Sequence, residues 1–319
     1  MATKRKPRRG SLAFKPKTRA NSPYPKITHY KDGEGVLGFA GYKAGMTRVL
    51  MVDDEKDSPS KGREVSEAVT VLEIPDLRVI GARAYEEVEG REKTLTDVLA
   101  NNLPRDLRRK FPAPKNGNEE ALEDLDNEDL SDMRLKVCTQ PRNTGIGKKT
   151  PEVFEIGLGK SIEDKLELAK EYLGKEVSAG DVFTPGEYVD VISLTKGKGM
   201  QGPVQRHGVK LLSHKAQKTR RKAGNIGPWH PDTTSWKVPQ AGKDGFNRRT
   251  EYNKRILKIG EDPEEINPDE GFKKYGNVKS KYMVLKGSVP GPAKRLIMLR
   301  SAIRKEGFPE NPEVTFIEK

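Results

Sequence analysis

The chain has 319 residues, enough for about two domains, and with 33% hydrophobic and 34% charged residues any core is lean. Sixty Lys and Arg against 47 Asp and Glu leave +13, a balance that favours a polyanionic partner, either nucleic acid or an anionic membrane surface. A single cysteine, Cys138, excludes an intramolecular disulfide framework and a Cys-clustered metal centre, and no apolar run approaches the roughly 20 residues that span a bilayer.

In chain order, residues 1–31 come first, with ten Lys/Arg, no acid, and Phe14, Tyr24 and Tyr30 scattered among the charges. No apolar stretch follows this basic start, so it does not read as a secretory signal, and a cytoplasmic location is expected. Short β-type runs then recur at 35–39, 46–52, 65–74, 77–85, 153–158 and 188–194, and again at 282–286, 295–300 and 313–317. Gly, Pro and Asp punctuate them in the manner of an antiparallel barrel or sandwich. Two helical patches are predicted. In 162–173, Ile162, Leu166, Ala169 and Leu173 share a face, Ser161 caps the start with Asp164 three residues on, and Gly174 ends it. The other, about 94–110, holds Leu95, Val98, Leu99, Leu103 and Leu107 and is interrupted by Pro104. Residues 119–132 carry eight acids and no base and read as an exposed acidic excursion.

The second basic segment, 194–258, has sixteen Lys/Arg against Asp232, Asp244 and Glu251, so the chain outside the two basic segments carries −10. A solvated linker has little use for Trp229, Trp236, Phe246 and Tyr252, whereas a segment that folds against RNA stacks such rings while cations neutralise phosphates. The fold class expected is β-rich α+β, one barrel completed from both ends of the chain with helical material and the basic segment inserted.

Catalytic readings are weak. Gly197, Gly199 and Gly202 spell a dinucleotide fingerprint after a predicted strand, but Pro203 follows, no apolar-periodic helix is predicted, and Lys222 stands where an acid belongs. Gly145 to Thr150 resembles the end of a phosphate loop with its first glycine replaced by Arg142. His29, His207, His214 and His230 lack metal-ligand spacing, and Cys138 reads as a buried structural thiol. No catalytic residue, metal, cofactor or small-molecule substrate is expected. A nucleotide-dependent enzyme and a free-standing RNA chaperone or translation regulator stand as the alternatives.

The stretches GNIGPWHP at 224–231, VPQAG at 238–242 and GFNRRTEYNKRI at 245–256 resemble the central extension of ribosomal protein three of the large subunit, in its archaeal branch. GFAGYKAGMT at 38–47, VTVLEIP at 69–75 and the basic KPRRGSL at 6–12 resemble the same family's first barrel strands and N-terminal tail. The resemblance implies a translation-protein-type β-barrel with an inserted α/β portion, a tail over 1–31 and a finger over 205–258. The barrel would occupy 32–90, 188–204 (ending in a Gly-rich finger root) and 259–319, with the insertion at 91–187. It implies a structural protein that binds large-subunit rRNA (23S type) early in subunit assembly, beside other large-subunit proteins. The finger is tipped by Trp229 near the peptidyl transferase centre. The RNA contacts then expected are Lys4, Arg5, Lys6, Arg8, Arg9, Lys15, Lys17 and Arg19 in the tail, with Lys196 and Lys198 at the root. In the finger they are Arg206, His207, Lys215, Lys218, Arg220, Arg221, Lys222, Trp229, His230, Trp236, Lys243, Arg248, Arg249, Lys254 and Arg255. Eukaryotic members modify a histidine where this chain has Gln217, so that modification is not carried over.

Overall fold

The computed structural model describes residues 9–55, 57–114, 116–122, 130–159, 161–216, 218–305 and 311–319. Its strands are β1 Gly38–Val52, β2 Glu64–Glu73, β3 Leu77–Val88, β4 Arg91–Leu99, β5 Asp132–Cys138, β6 Val153–Gly157, β7 Glu176–Val177 and β8 Tyr188–Leu194, then β9 Gly199–Gln201, β10 Gly242–Asp244, β11 Arg248–Gly260, β12 Tyr282–Lys286, β13 Leu296–Ser301 and β14 Val314–Ile317. The helices are α1 Ile162–Tyr172 and α2 Pro203–His207. The chain divides into two compact units: unit 1 is Met1–Pro23 with Leu194–Arg249, and unit 2 is Tyr24–Ser193 with Thr250–Lys319.

Unit 2 is β-rich. Its larger sheet runs β13-β8-β11-β12-β2-β1-β14, and β13 also pairs with β1, so the pairings form a circuit of six strands with β14 outside it. The C-terminal strands thus complete a sheet begun by the N-terminal ones: β13 lies against β1 with Phe39 opposite Leu299, and β12 lies against β2 with Val71 opposite Val284. β8, β12 and β13 are nearly continuous apolar runs, buried along most of their length, as strands covered on both faces must be. A second sheet, β4-β3-β5-β6 with β7 on β3, holds Leu135 opposite Ile156, and α1 supports it through Lys165 Nζ, 2.7 Å from Asp132 Oδ1.

The expected helix at 162–173 forms as α1, with Ser161 Oγ accepting from the Asp164 N–H and Gly174 following at φ +70°. The helix expected at 94–110 does not form. Its first half is strand β4, joined to β3 through Glu89 and Gly90 at φ +51° and +73°, and its second half is a single 3₁₀ turn, Arg105–Arg109. The physical reason is hairpin pairing: those two left-handed residues reverse the chain tightly, and β3 offers a full edge to β4. The run at 35–39 becomes strand only from Gly38, with Val36 in an isolated bridge to Leu158.

One acid lies deep in this unit. Glu73, fully buried at the end of β2, accepts N–H bonds from Lys279 at 2.6 Å, Ser280 at 3.0 Å and Gly145 at 3.2 Å, and the Tyr275 hydroxyl donates to it as well. That many donors satisfy the acceptor capacity of the buried side chain.

Candidate nucleic-acid interface

Unit 1 has 21 Lys/Arg and two acids, Asp232 and Asp244, in its 79 residues, a net of +19 that leaves unit 2 at −6. Its frame is a short ribbon in which β9 and β10 pair antiparallel, Met200 opposite Lys243. From β9 the chain enters α2, with Pro203 at the first helical position, and leaves it through Gly208 at φ +64°. At the other end of the ribbon, Gly245 and Phe246 at φ +74° and +54° reverse the chain. A Cβ on Gly245 would stand 2.1 Å from the Lys196 carbonyl oxygen, so glycine is required there.

The expected tail and finger root meet in this unit. Arg206 on α2 donates from Nε to the Lys243 carbonyl at 3.0 Å, from Nη1 to Gln240 at 3.2 Å and from Nη2 to Lys17 at 3.4 Å, while Lys17 Nζ donates to the Arg206 carbonyl at 2.7 Å. Asn247, which the sequence reading did not single out, is buried; its Nδ2 donates to the Thr18 carbonyl at 2.6 Å and its N–H to Thr195 Oγ1 at 3.1 Å. The signal that could have found it is the GFN run, a buried amide directly after two left-handed residues. Lys15 Nζ reaches the Trp236 carbonyl at 3.0 Å, Arg9 Nη1 the Gly208 carbonyl at 3.4 Å, and Arg249 lies over the Phe14 ring at 4.9 Å. A cavity of about 480 Å³ opens among Arg19, Pro23, Met200, Lys243, Asp244 and Phe246, and its lining is mostly apolar.

The remaining expected residues divide by exposure. Arg19, Lys196, Lys198, Lys215, Lys218, Arg220, Arg221, Lys222, His230, Lys243 and Arg248 stand exposed, and Trp229 and Trp236 are 84% and 64% exposed. Against unit 1's two acids, that many exposed cations leave a large uncompensated positive field. His207 is buried instead, its ring packed under Gly10, and serves the inside of the unit. Lys254 and Arg255 fall in unit 2, on β11, and for Arg255 the structure departs from the expectation. Arg255 is 3% exposed and clamped by Asp54, with Nη1 at 2.6 Å from Oδ1, so its guanidinium is spent on an internal ion pair. Lys254 Nζ is 3.0 Å from Glu251. Lys4, Arg5, Lys6, Arg8, Gln217 and residues 123–129 of the acidic stretch lie outside the described residues.

A β-rich fold whose positive charge is gathered into one unit, tied together through main-chain carbonyls, defines a basic scaffold-type protein. The family model described as ribosomal protein L3 matches residues 1–317. The large ribosomal subunit protein uL3 of Methanothermobacter thermautotrophicus is 49% identical, covering 99% of this chain and 98% of its own length. Proteins of the same name from Methanosphaera stadtmanae and Methanothrix thermoacetophila are 48% and 45% identical, over 99% and 100% of this chain and 98% of each of theirs. The chain therefore belongs to the ribosomal protein L3 family. That family consists of structural proteins of translation, not enzymes, and the dinucleotide reading of Gly197–Gly202 is set aside with it.

Proposed function

We propose that this protein is a structural component of the large ribosomal subunit, on cytoplasmic ribosomes, that binds large-subunit rRNA through unit 1. On this reading the circuit of six strands in unit 2 is the family's translation-protein-type barrel, and the protein joins the subunit early and lies beside other large-subunit proteins. The finger extends toward the peptidyl transferase centre with Trp229 at its tip. The observation that carries the reading is the segregation of charge: a chain of +13 in all holds +19 in 79 residues, most of its cations aimed at solvent. Crowded phosphates are the partner that such a surface neutralises, and irregular, Gly- and Pro-rich chain inserts between RNA helices where a globular domain would not fit.

The test is the salt dependence of binding between the full chain and large-subunit rRNA. Each phosphate neutralised adds about 0.7–0.9 to the log–log slope, so a steep slope is expected and a slope near zero would overturn the reading. Quantitative co-sedimentation with large subunits in high salt separates a resident protein from a transient chaperone, which would wash off. For the tip, ribosomes carrying Trp229→Ala should show altered tRNA accommodation or altered sensitivity to peptidyl transferase inhibitors, through lost stacking of about 1–3 kcal/mol.

A further inference from the structure

Unit 2 is acidic overall, yet it gathers four arginines around one open cleft. The 3₁₀ turn Arg105–Arg109 is pinned by Leu107, which is fully buried against Ile80 and Cys138, so the residues flanking it turn outward. In a 3₁₀ turn the side chains at i and i+3 eclipse, which sets Arg105 beside Arg108 and Asp106 beside Arg109. A second turn, Pro141–Asn143, brings in Arg142, whose Nε and Nη2 each donate to an Asp106 oxygen at 2.7 Å. Arg109 Nε adds a third bond to the same carboxylate at 3.3 Å. These residues and Pro104 line a cleft of about 680 Å³ in which Asp106 is the one acid among the lining residues, so four guanidinium groups face one carboxylate.

The Arg142 guanidinium holds the Asp106 carboxyl down at about 2, so the carboxylate stays charged and keeps both Arg142 and Arg109 oriented. Arg105 and Arg108 have no carboxylate within ion-pair distance among the described residues. Four like charges held together repel one another, and the single Asp106 carboxylate, engaged by Arg142 and Arg109, offsets only part of that repulsion. An anion placed among them is what relieves it, and the planar guanidinium fork matches a phosphate in two-point geometry. The cleft, at about 680 Å³, is larger than one phosphate, and apart from Pro104 every residue lining it is charged.

We propose that Arg105, Arg108 and Arg142 form a binding site for the RNA phosphate backbone on unit 2, distinct from the cations of unit 1, with Asp106 as the residue that positions it. The site rests on the rRNA reading above and extends it to a stretch that neither basic segment of the sequence contains.

The experiment uses the full chain carrying Arg105→Gln and Arg108→Gln together, both exposed, with large-subunit rRNA as the probe. An unchanged melting temperature shows the variant folded, and the log–log salt slope is expected to fall by about 1–2 relative to wild type, one contact per arginine. In parallel, Arg108→Cys carrying a chelated iron should cut the rRNA backbone at a discrete cluster of positions. The native thiol does not compete for the label, because Cys138 is buried and its pKa is pushed up to about 12. A wild-type slope near zero would remove the rRNA reading and this site with it. A steep wild-type slope left unchanged in the double variant, with no cleavage from position 108, would overturn the site alone. Unchanged binding to bare rRNA with weakened retention in assembled subunits would also overturn it, in favour of an acidic protein neighbour.

Discussion

The two units of this chain are held together by different physics. Among the described residues, every buried apolar side chain except Leu194 and Pro203 belongs to unit 2. Unit 1 has in its place a set of side-chain N–H groups donating to main-chain carbonyls: Arg206 to three, Lys17, Lys15 and Asn247 to one each. Burial of apolar surface is the dominant favourable term in folding, while a hydrogen bond to a carbonyl that water would otherwise satisfy adds little net. Unit 2 therefore carries the stability of the free protein. Unit 1 has a specified geometry with a small reserve, and its +19 opposes compaction until counterions or a polyanion gather around it.

The contrast is most easily broken by a large-to-small change in each unit. Leu72→Ala, at a fully buried position on β2, should lower the unfolding free energy by about 2–5 kcal/mol in denaturant titrations. A loss below 1 kcal/mol there would mean that unit 2 is not the stable body described.

Next in size is the Asp54–Arg255 pair. Arg255 holds the Asp54 carboxyl below its usual range, chiefly through the hydrogen bond between them. A carboxylate depressed in the folded state contributes stability above its unfolded pKa of about 3.9 and loses that contribution as the pH falls below it. Asp54→Asn should therefore cost about 1–2 kcal/mol at neutral pH, discounted for the partial exposure of Asp54. The stability curves of wild type and variant should converge as the pH drops below about 4. Parallel curves down to acid pH would show that the pair contributes nothing through charge.

Arg206→Ala sharpens the comparison from the other side. It removes three donors to carbonyls of unit 1, so trypsin should cut the 194–249 segment several-fold faster while the main thermal transition moves by less than about 1 °C. If the main transition falls by many degrees instead, the two units fold as one cooperative block. The smallest effect is expected of Trp229→Ala: an indole 84% exposed should change stability by less than about 0.5 kcal/mol, against about 3–5 for a buried one.

What the sequence disclosed follows the same division. The strand at 282–286 was legible to the residue, because a bounded apolar run has few other uses, and the helix at 162–172 announced itself through its Ser161 cap and apolar stripe. β4 was misread because Leu95, Val98 and Leu99 happen to fall at helical spacing, although on the strand only Val98 is fully buried. β11 was overlooked because its first half, RRTEYNK, is polar and reads as finger. At the candidate interface the cations themselves were plain. The packing of the tail on the finger root was not, since its bonds run to main-chain carbonyls, which every residue possesses. Nothing local to Arg255 signals Asp54, a partner 201 positions away, so from sequence its guanidinium reads as one more phosphate contact.

The ribbon of β9 and β10 has one more consequence, which concerns reach. Gln201 pairs with Gly242, and between them lie forty residues that leave and re-enter at a single gate. The entropy of closing such an excursion grows only as the logarithm of its length, about 0.6 kcal/mol for each doubling. Residues inserted or removed between Gly208 and Trp236, outside the bonds that Arg206 and Trp236 make to the ribbon and the tail, therefore change the closure entropy of the β9–β10 pair only slightly. The length of the segment between the two strands is thereby an adjustable dimension, uncoupled from the ribbon that closes it.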